Sequence, residues 1–92
     1  MANSKSALKR LRSAERRQLR NRMFRGRART AVKKARRLMD AGHPEESREA
    51  VRAAVVALDK AAQKGIIHKN KAARQKSRLM RRLNQIETER AA

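Results

Sequence analysis

Apolar positions recur along this chain at the three- and four-residue spacing of a helix, and nowhere at the alternation of a strand. Phe24, Ala28, Ala31, Val32, Ala35, Leu38 and Met39 fall on one stripe about 120° wide, suited to a bundle core. Val51, Ala54, Val55, Leu58, Ala61 and Ala62 form a second stripe, with Glu45, Arg48, Glu49, Arg52, Asp59 and Lys60 opposite it. Ala72, Ala73, Leu79, Met80, Leu83 and Ile86 form a third. Gly42 sits where a C-terminal cap belongs, and His43-Pro44-Glu45-Glu46 reads as a fresh start, with Pro at the first helical position and carboxylates at the positive end of the dipole. Gly65 closes this second segment, and Ile66-Ile67-His68 connects it to the next. The pattern predicts helices over about 5–41, 44–64 and 69–86, with Glu87 to Ala92 frayed. Gly26 inside the first helix costs about 1 kcal/mol relative to Ala and marks a bend or a close contact.

Length then sets the architecture. A first helix of about 37 residues spans about 55 Å, whereas partners of about 20 residues span about 30 Å. The short pair covers only half of the long helix, so its N-terminal half must project. The expected fold is all-α: one domain over residues 1–92, a three-helix bundle with a long first helix whose N-terminal half stands beyond it. Without a protein neighbour, residues 4–22 are expected to be largely disordered or fraying in the free chain and to become fixed on a partner.

Charge names the kind of partner. Lys and Arg number 27 against 8 acidic residues, for a net +19, and self-repulsion of that size disfavours a compact free state without a polyanion. Arg outnumbers Lys by 18 to 9, which suits phosphate because the guanidinium fork donates two hydrogen bonds. Residues 1–41 carry +13, residues 42–65 carry zero and residues 66–92 carry +6. The middle helix therefore reads as a packing element and the outer two as binding elements. In the first helix, Lys5, Lys9, Arg10, Arg12, Arg16, Arg17 and Arg20 occupy nearly the sector that is apolar after Phe24, while Leu8, Leu11 and Leu19 move to another side. In the third, Lys71, Arg74, Arg78, Arg81 and Arg82 share an arc of roughly 100°, a basic ridge one helix long.

Other chemistries find little support. With no Cys there is neither a disulfide framework nor a thiolate metal site, and His43 and His68 have no ligand-like companions. The carboxylates are dispersed, no nucleophile–base pair stands out and no Gly-rich phosphate loop exists, so no catalytic site, small-molecule substrate, metal or cofactor is expected. The basic start lacks the apolar run of a secretory signal, and no segment approaches a membrane span. An Arg- and Ser-containing start also fits an organellar transit peptide, but nothing later reads as a separate mature domain; the expectation is a soluble intracellular protein. A membrane-active amphipathic helix is weakened by an arm holding only Leu8, Leu11 and Leu19, without Trp or Phe.

The residue types also narrow the nucleic acid. Phe24 is the only aromatic residue and lies on the core stripe, so the stacking platforms of sequence-specific single-strand binders are missing. A helix-turn-helix would need mixed base-reading side chains on its recognition helix. What is left is recognition of shape through phosphates and sugars, with Asn21, His68, Asn70, Ser77 and Asn84 as neutral donors. A nucleoid-type DNA-compacting protein would share this charge and the lack of aromatics.

Two stretches then carry a resemblance. Lys5-Ser6-Ala7-Leu8-Lys9-Arg10-Leu11-Arg12, followed by Glu15-Arg16-Arg17 and Arg20-Asn21, is similar to the N-terminus of a bacterial small-subunit ribosomal protein family, number twenty of its series. Asp59-Lys60-Ala61-Ala62 with Lys64-Gly65-Ile66-Ile67-His68-Lys69-Asn70-Lys71-Ala72-Ala73-Arg74, then Lys76-Ser77-Arg78-Leu79, resembles that family's most distinctive block, and Thr30-Ala31-Val32-Lys33-Lys34 also matches. The resemblance covers essentially the full length. It implies a three-helix bundle in the 30S subunit of the cytoplasmic ribosome that binds 16S ribosomal RNA early and directly, bridging the 5′ domain and the 3′ minor domain, with few protein contacts. The RNA contacts it implies are Lys5, Ser6, Lys9, Arg10, Arg12, Arg16, Arg17, Arg20 and Asn21, then His68, Lys69, Asn70, Lys71, Arg74, Ser77 and Arg78. The chain departs from the family pattern at residues 23–29, where Phe24 and Gly26 are unusual, and in the middle helix.

Overall fold

The computed structural model describes residues 4–91, and these form α1 (Lys5–Asp40), α2 (Pro44–Gln63) and α3 (Lys69–Ala91), with no strand among them. Ala92, part of the tail expected to fray, and residues 1–3 lie outside the described residues. The start of α1 is set by Ser4, whose Oγ accepts the Ala7 N–H at 3.2 Å, satisfying one of the free donors of the first turn. Its end is a Schellman turn. Gly42 takes φ +77°, its N–H donates to the Met39 carbonyl, and the His43 N–H donates to that of Leu38. The end of α2 repeats the device: Gly65 at φ +74° donates to Ala62, and the Ile66 N–H reaches back to the Ala61 carbonyl at 2.9 Å. Ile66 is thereby turned into the core, where it is buried. Two left-handed glycines thus fold the chain back on itself twice.

The core is thin and built largely of small side chains. Ala28, Val32, Ala35 and Met39 from α1 pack with Ala50, Val51, Ala54 and Leu58 from α2 and with Ala72, Leu79 and Leu83 from α3. Ala35, Ala54 and Ala61 have no exposed surface at all, so the backbones can approach closely. Most of the packing joins α1 to α2 and α2 to α3, leaving α2 as the middle layer. Exposed ion pairs stitch the helices from outside: Arg82 with Asp40, Lys76 with Asp59 at 2.7 Å, and Arg48 with Glu87 at 2.9 Å. Each contributes at most about 1 kcal/mol in solvent, so they set register more than stability.

Several expectations change here. α3 does not stop near Ile86 but continues to Ala91, because Glu87 is held by Arg48 and the Thr88 hydroxyl donates to the Asn84 carbonyl at 2.8 Å. Ala73 and Met80 lie outside the core, exposed on the flanks of α3, since only one narrow stripe of that helix meets α2. Phe24 stands half-buried at the rim of the bundle, its ring covered by Lys64 Nζ at 4.9 Å and Arg27 at 5.6 Å. Gly26 makes no close approach: a methyl group there would meet open space, and α1 runs through it unbroken. Residues 5–22 are helical in the structure, started by the Ser4 cap and built of residues of high helix propensity. They do project. The molecule measures 70 × 21 × 14 Å, and the core residues of α1 begin only at Ala28.

Leu58 is 1% exposed at the centre of this core, so Leu58→Ala is expected to lower unfolding free energy by about 2–5 kcal/mol in urea titration. Gly26→Ala is expected to raise it by about 1 kcal/mol, because the helical backbone already fits alanine and nothing crowds the new methyl.

Candidate nucleic-acid interface

The projecting arm, residues 5–22, is a single helix with cations on more than one side. Lys5, Lys9, Arg12 and Arg16 line one shallow face together with Leu8, Glu15 and Leu19. Ser6, Arg10 and Arg17 lie with Lys9, Ser13 and Ala14 on the next face round, and Arg16, Arg17 and Arg20 meet at Ser13, whose Oγ accepts from Arg16 at 3.5 Å. This corrects the simple picture in which the leucines retreat to another side. Leu8 and Leu19 border the row Lys5, Lys9, Arg12 and Arg16, while the adjacent pairs Lys9-Arg10 and Arg16-Arg17 spread charge about 100° further round the helix. The leucines are largely solvent-exposed, at 44% for Leu8 and 60% for Leu19. Asn21 is half-buried and shares a further face with Arg17, Arg22, Arg25 and Arg29. Glu15 is the only carboxylate on the arm.

The second predicted surface lies on α3. His68 occupies the position before the helix: its carbonyl accepts the Ala72 N–H, and its Nδ1 accepts the Asn70 N–H at 3.0 Å. That ring nitrogen acts as the cap. Lys69, Asn70 and Lys71 make up the first turn, and Lys71, Arg74, Ser77, Arg78 and Arg81 are exposed along the helix. Arg82 is also exposed, but its guanidinium is paired with Asp40, so it holds α3 against the end of α1. Neither α1 nor α3 has an acidic residue in its first turn, whereas α2 has Glu45 and Glu46 there. The positive ends of the two outer helices are thus left without a carboxylate of their own.

The arm and the α3 block are not brought together. Arg25, whose guanidinium donates to the Ile66 carbonyl at 3.4 Å, marks where α1 meets the start of α3. Lys5 lies twenty residues earlier, about 30 Å along the helix. Between the two surfaces the structure adds residues that the sequence reading missed. Arg25, Arg29, Lys33 and Arg36 line a groove of about 400 Å³ with His68 and Lys71 opposite. Their spacing of four, four and three residues was a legible signal of one helix face, but nothing in the sequence showed that α3 would arrive beside it.

Among the described residues no group of His, Cys, Asp or Glu could hold a metal ion, and no helix is long and apolar enough to cross a membrane. The family model described as ribosomal protein S20 matches residues 2–84. The chain belongs to the ribosomal protein S20 family. Small ribosomal subunit protein bS20 of Thermomicrobium roseum is 58% identical over 84 residues, covering 91% of this chain and 85% of that protein. The protein of the same name from Geobacillus kaustophilus is 49% identical, covering 95% and 98%, and that of Thermobifida fusca is 46% identical over the whole of both chains. S20 is a family of ribosomal proteins, not of enzymes. Both resembling blocks lie within the matched stretch, as do the rim residue Phe24 and Gly26.

Because Arg78 is exposed and makes no ion pair among the described residues, Arg78→Ala is expected to leave the thermal melt of the free protein nearly unchanged. Leu83→Ala, five residues nearer the end on the buried side, should lower stability by about 2–5 kcal/mol. Equal melting shifts in the two variants would show that the faces of α3 are wrongly assigned.

Proposed function

We propose that this protein is a structural constituent of the small ribosomal subunit, in the cytoplasm, that binds 16S ribosomal RNA directly through phosphates and sugars. The observation that carries the reading is the arm: a helix of like charge with a single carboxylate, standing clear of its own bundle. Among the described residues no ion pair neutralises such a helix, whereas RNA phosphates would supply partners along its whole length. Lys5, Ser6, Lys9, Arg10, Arg12, Arg16, Arg17, Arg20 and Asn21 are its contact residues. On the second surface they are His68, Lys69, Asn70, Lys71, Arg74, Ser77, Arg78 and Arg81, with Arg82 contributing from its place beside Asp40. Membership of the S20 family and relatives named as small-subunit proteins support the choice of RNA.

Two cationic surfaces on a molecule 70 Å long favour a bridging role, one RNA segment on the arm and another on α3. Joining the 5′ domain to the 3′ minor domain in this way would help early subunit assembly, since the contacts need RNA alone. With the outer helices given to RNA, few protein neighbours are expected.

Competition binding between 16S RNA fragments and duplex DNA across a salt series tests the proposal. A cognate RNA complex should keep its advantage between about 50 and 200 mM salt, while nonspecific phosphate contacts weaken steeply. Equal affinity for duplex DNA at the higher salt would sink the assignment and favour a nucleoid-type DNA-binding protein.

A further inference from the structure

We infer that the groove between the C-terminal half of α1 and the α2–α3 turn is a further seat for RNA, taking the ribose–phosphate backbone of a strand that the arm does not touch. The inference rests on the RNA-binding reading above and extends it to residues of α1 that neither the arm nor the α3 ridge includes.

The lining of the groove is one-sided in charge. Arg25, Arg29, Lys33 and Arg36 stand on one wall, His68 and Lys71 on the other, and no carboxylate lines it. Asp40 at the end of α1 and Asp59 on α2 are committed elsewhere, to Arg82 and Lys76. Arg29, Lys33 and Arg36 therefore repel one another with no ion pair among the described residues to offset it. The floor is apolar: partly exposed Ile67 offers the accessible surface, over the buried Ala28, Val32, Leu58 and Ile66. A free inorganic anion gains nothing from such a floor, whereas a sugar has a face to lay on it while its phosphates reach the rim. At about 400 Å³ the groove is within the range of ligand-sized clefts.

His68 adds direction. Because Nδ1 accepts the Asn70 N–H, the neutral ring carries its proton on Nε2, which makes that nitrogen a donor. His68 is a positioning residue for α3 through one nitrogen and a contact residue for a phosphate or 2′-hydroxyl oxygen through the other. Arg25 fixes the mouth of the groove by its bond to the Ile66 carbonyl. At about 100° per residue, the row Arg25, Arg29, Lys33, Arg36 lies roughly 130° around α1 from the row Lys5, Lys9, Arg12, Arg16. A strand running along the arm row does not reach it, so the groove meets a different segment.

The test uses the full-length chain and in vitro transcribed 16S RNA. The triple variant Arg29→Ala, Lys33→Ala, Arg36→Ala should lower the slope of log affinity against log salt by about 2 to 3, at about 0.7–0.9 per lost phosphate contact. In hydroxyl-radical footprinting it should lose one protected backbone tract and keep those of the arm. The chain has no cysteine, so Lys33→Cys, Arg12→Cys and Arg52→Cys can each carry a tethered iron–EDTA probe, the last on the outer face of α2. Cleavage from position 33 should fall on a tract not cut from position 12, and more strongly than from position 52. If the wild-type chain shows no preference for 16S RNA over duplex DNA, the underlying reading fails. If the preference holds while the triple variant keeps its slope and every protected tract, the groove alone fails. Should the triple variant lose its helix content, the tethered probes decide: cutting from position 33 no stronger than from position 52 overturns the inference.

Discussion

The contact between the neutral second helix and the C-terminal half of the first is what the rest of the molecule hangs on. Like charges on α1 and α3 repel, so these helices cannot be the main partners of each other, and their direct packing is slight. α2 lies between them with a balanced charge and an alanine-lined face. Small side chains let the helices come close, and close approach is how a short bundle with one half-buried aromatic excludes water. Leu58, the largest fully buried hydrophobic side chain, sits at the middle of that contact. It is also part of the apolar floor of the groove, so core and surface share a residue.

From this division of labour the placement of cations follows. The carboxylates of the inter-helix pairs, Asp40, Asp59 and Glu87, serve tertiary structure, and each takes one base out of the pool available to a partner. The arm escapes this because it lies beyond the reach of α2 and α3, and its one acid, Glu15, has no such pairing among the described residues. Interleaved leucines make the arm a mixed surface instead of a purely ionic one. That composition matches an RNA backbone, where phosphates alternate with sugars, better than it matches a layer of simple counterions.

The two glycine turns are small features with long consequences. Each places one residue in the left-handed region and reverses the chain within a few residues. The second also delivers Ile66 into the core and His68 to the start of α3, where the ring caps the helix. A change of direction there would dismantle the groove even with every helix intact. Position in this protein is thus set by turns, which also decide where its charges stand.

The sequence by itself determined the helices, their order and the two left-handed breaks, because propensity, capping and glycine conformation are local properties. It also determined that one helix outruns its partners, since length is counted in residues. Family membership was equally legible, in the Lys5–Arg12 and Lys64–Arg74 blocks. The tertiary structure alone decided which apolar residues are truly covered. Ala73 and Met80 share a wheel sector with Leu79 and Leu83, yet only a narrow stripe meets α2. It decided that Arg82 faces Asp40, a pairing across 42 positions that no local pattern announces. And it decided that Arg29, Lys33 and Arg36 share a groove with His68 and Lys71, because such proximity depends on the angle at which α3 leaves Gly65, a quantity summed over the whole packing of the bundle.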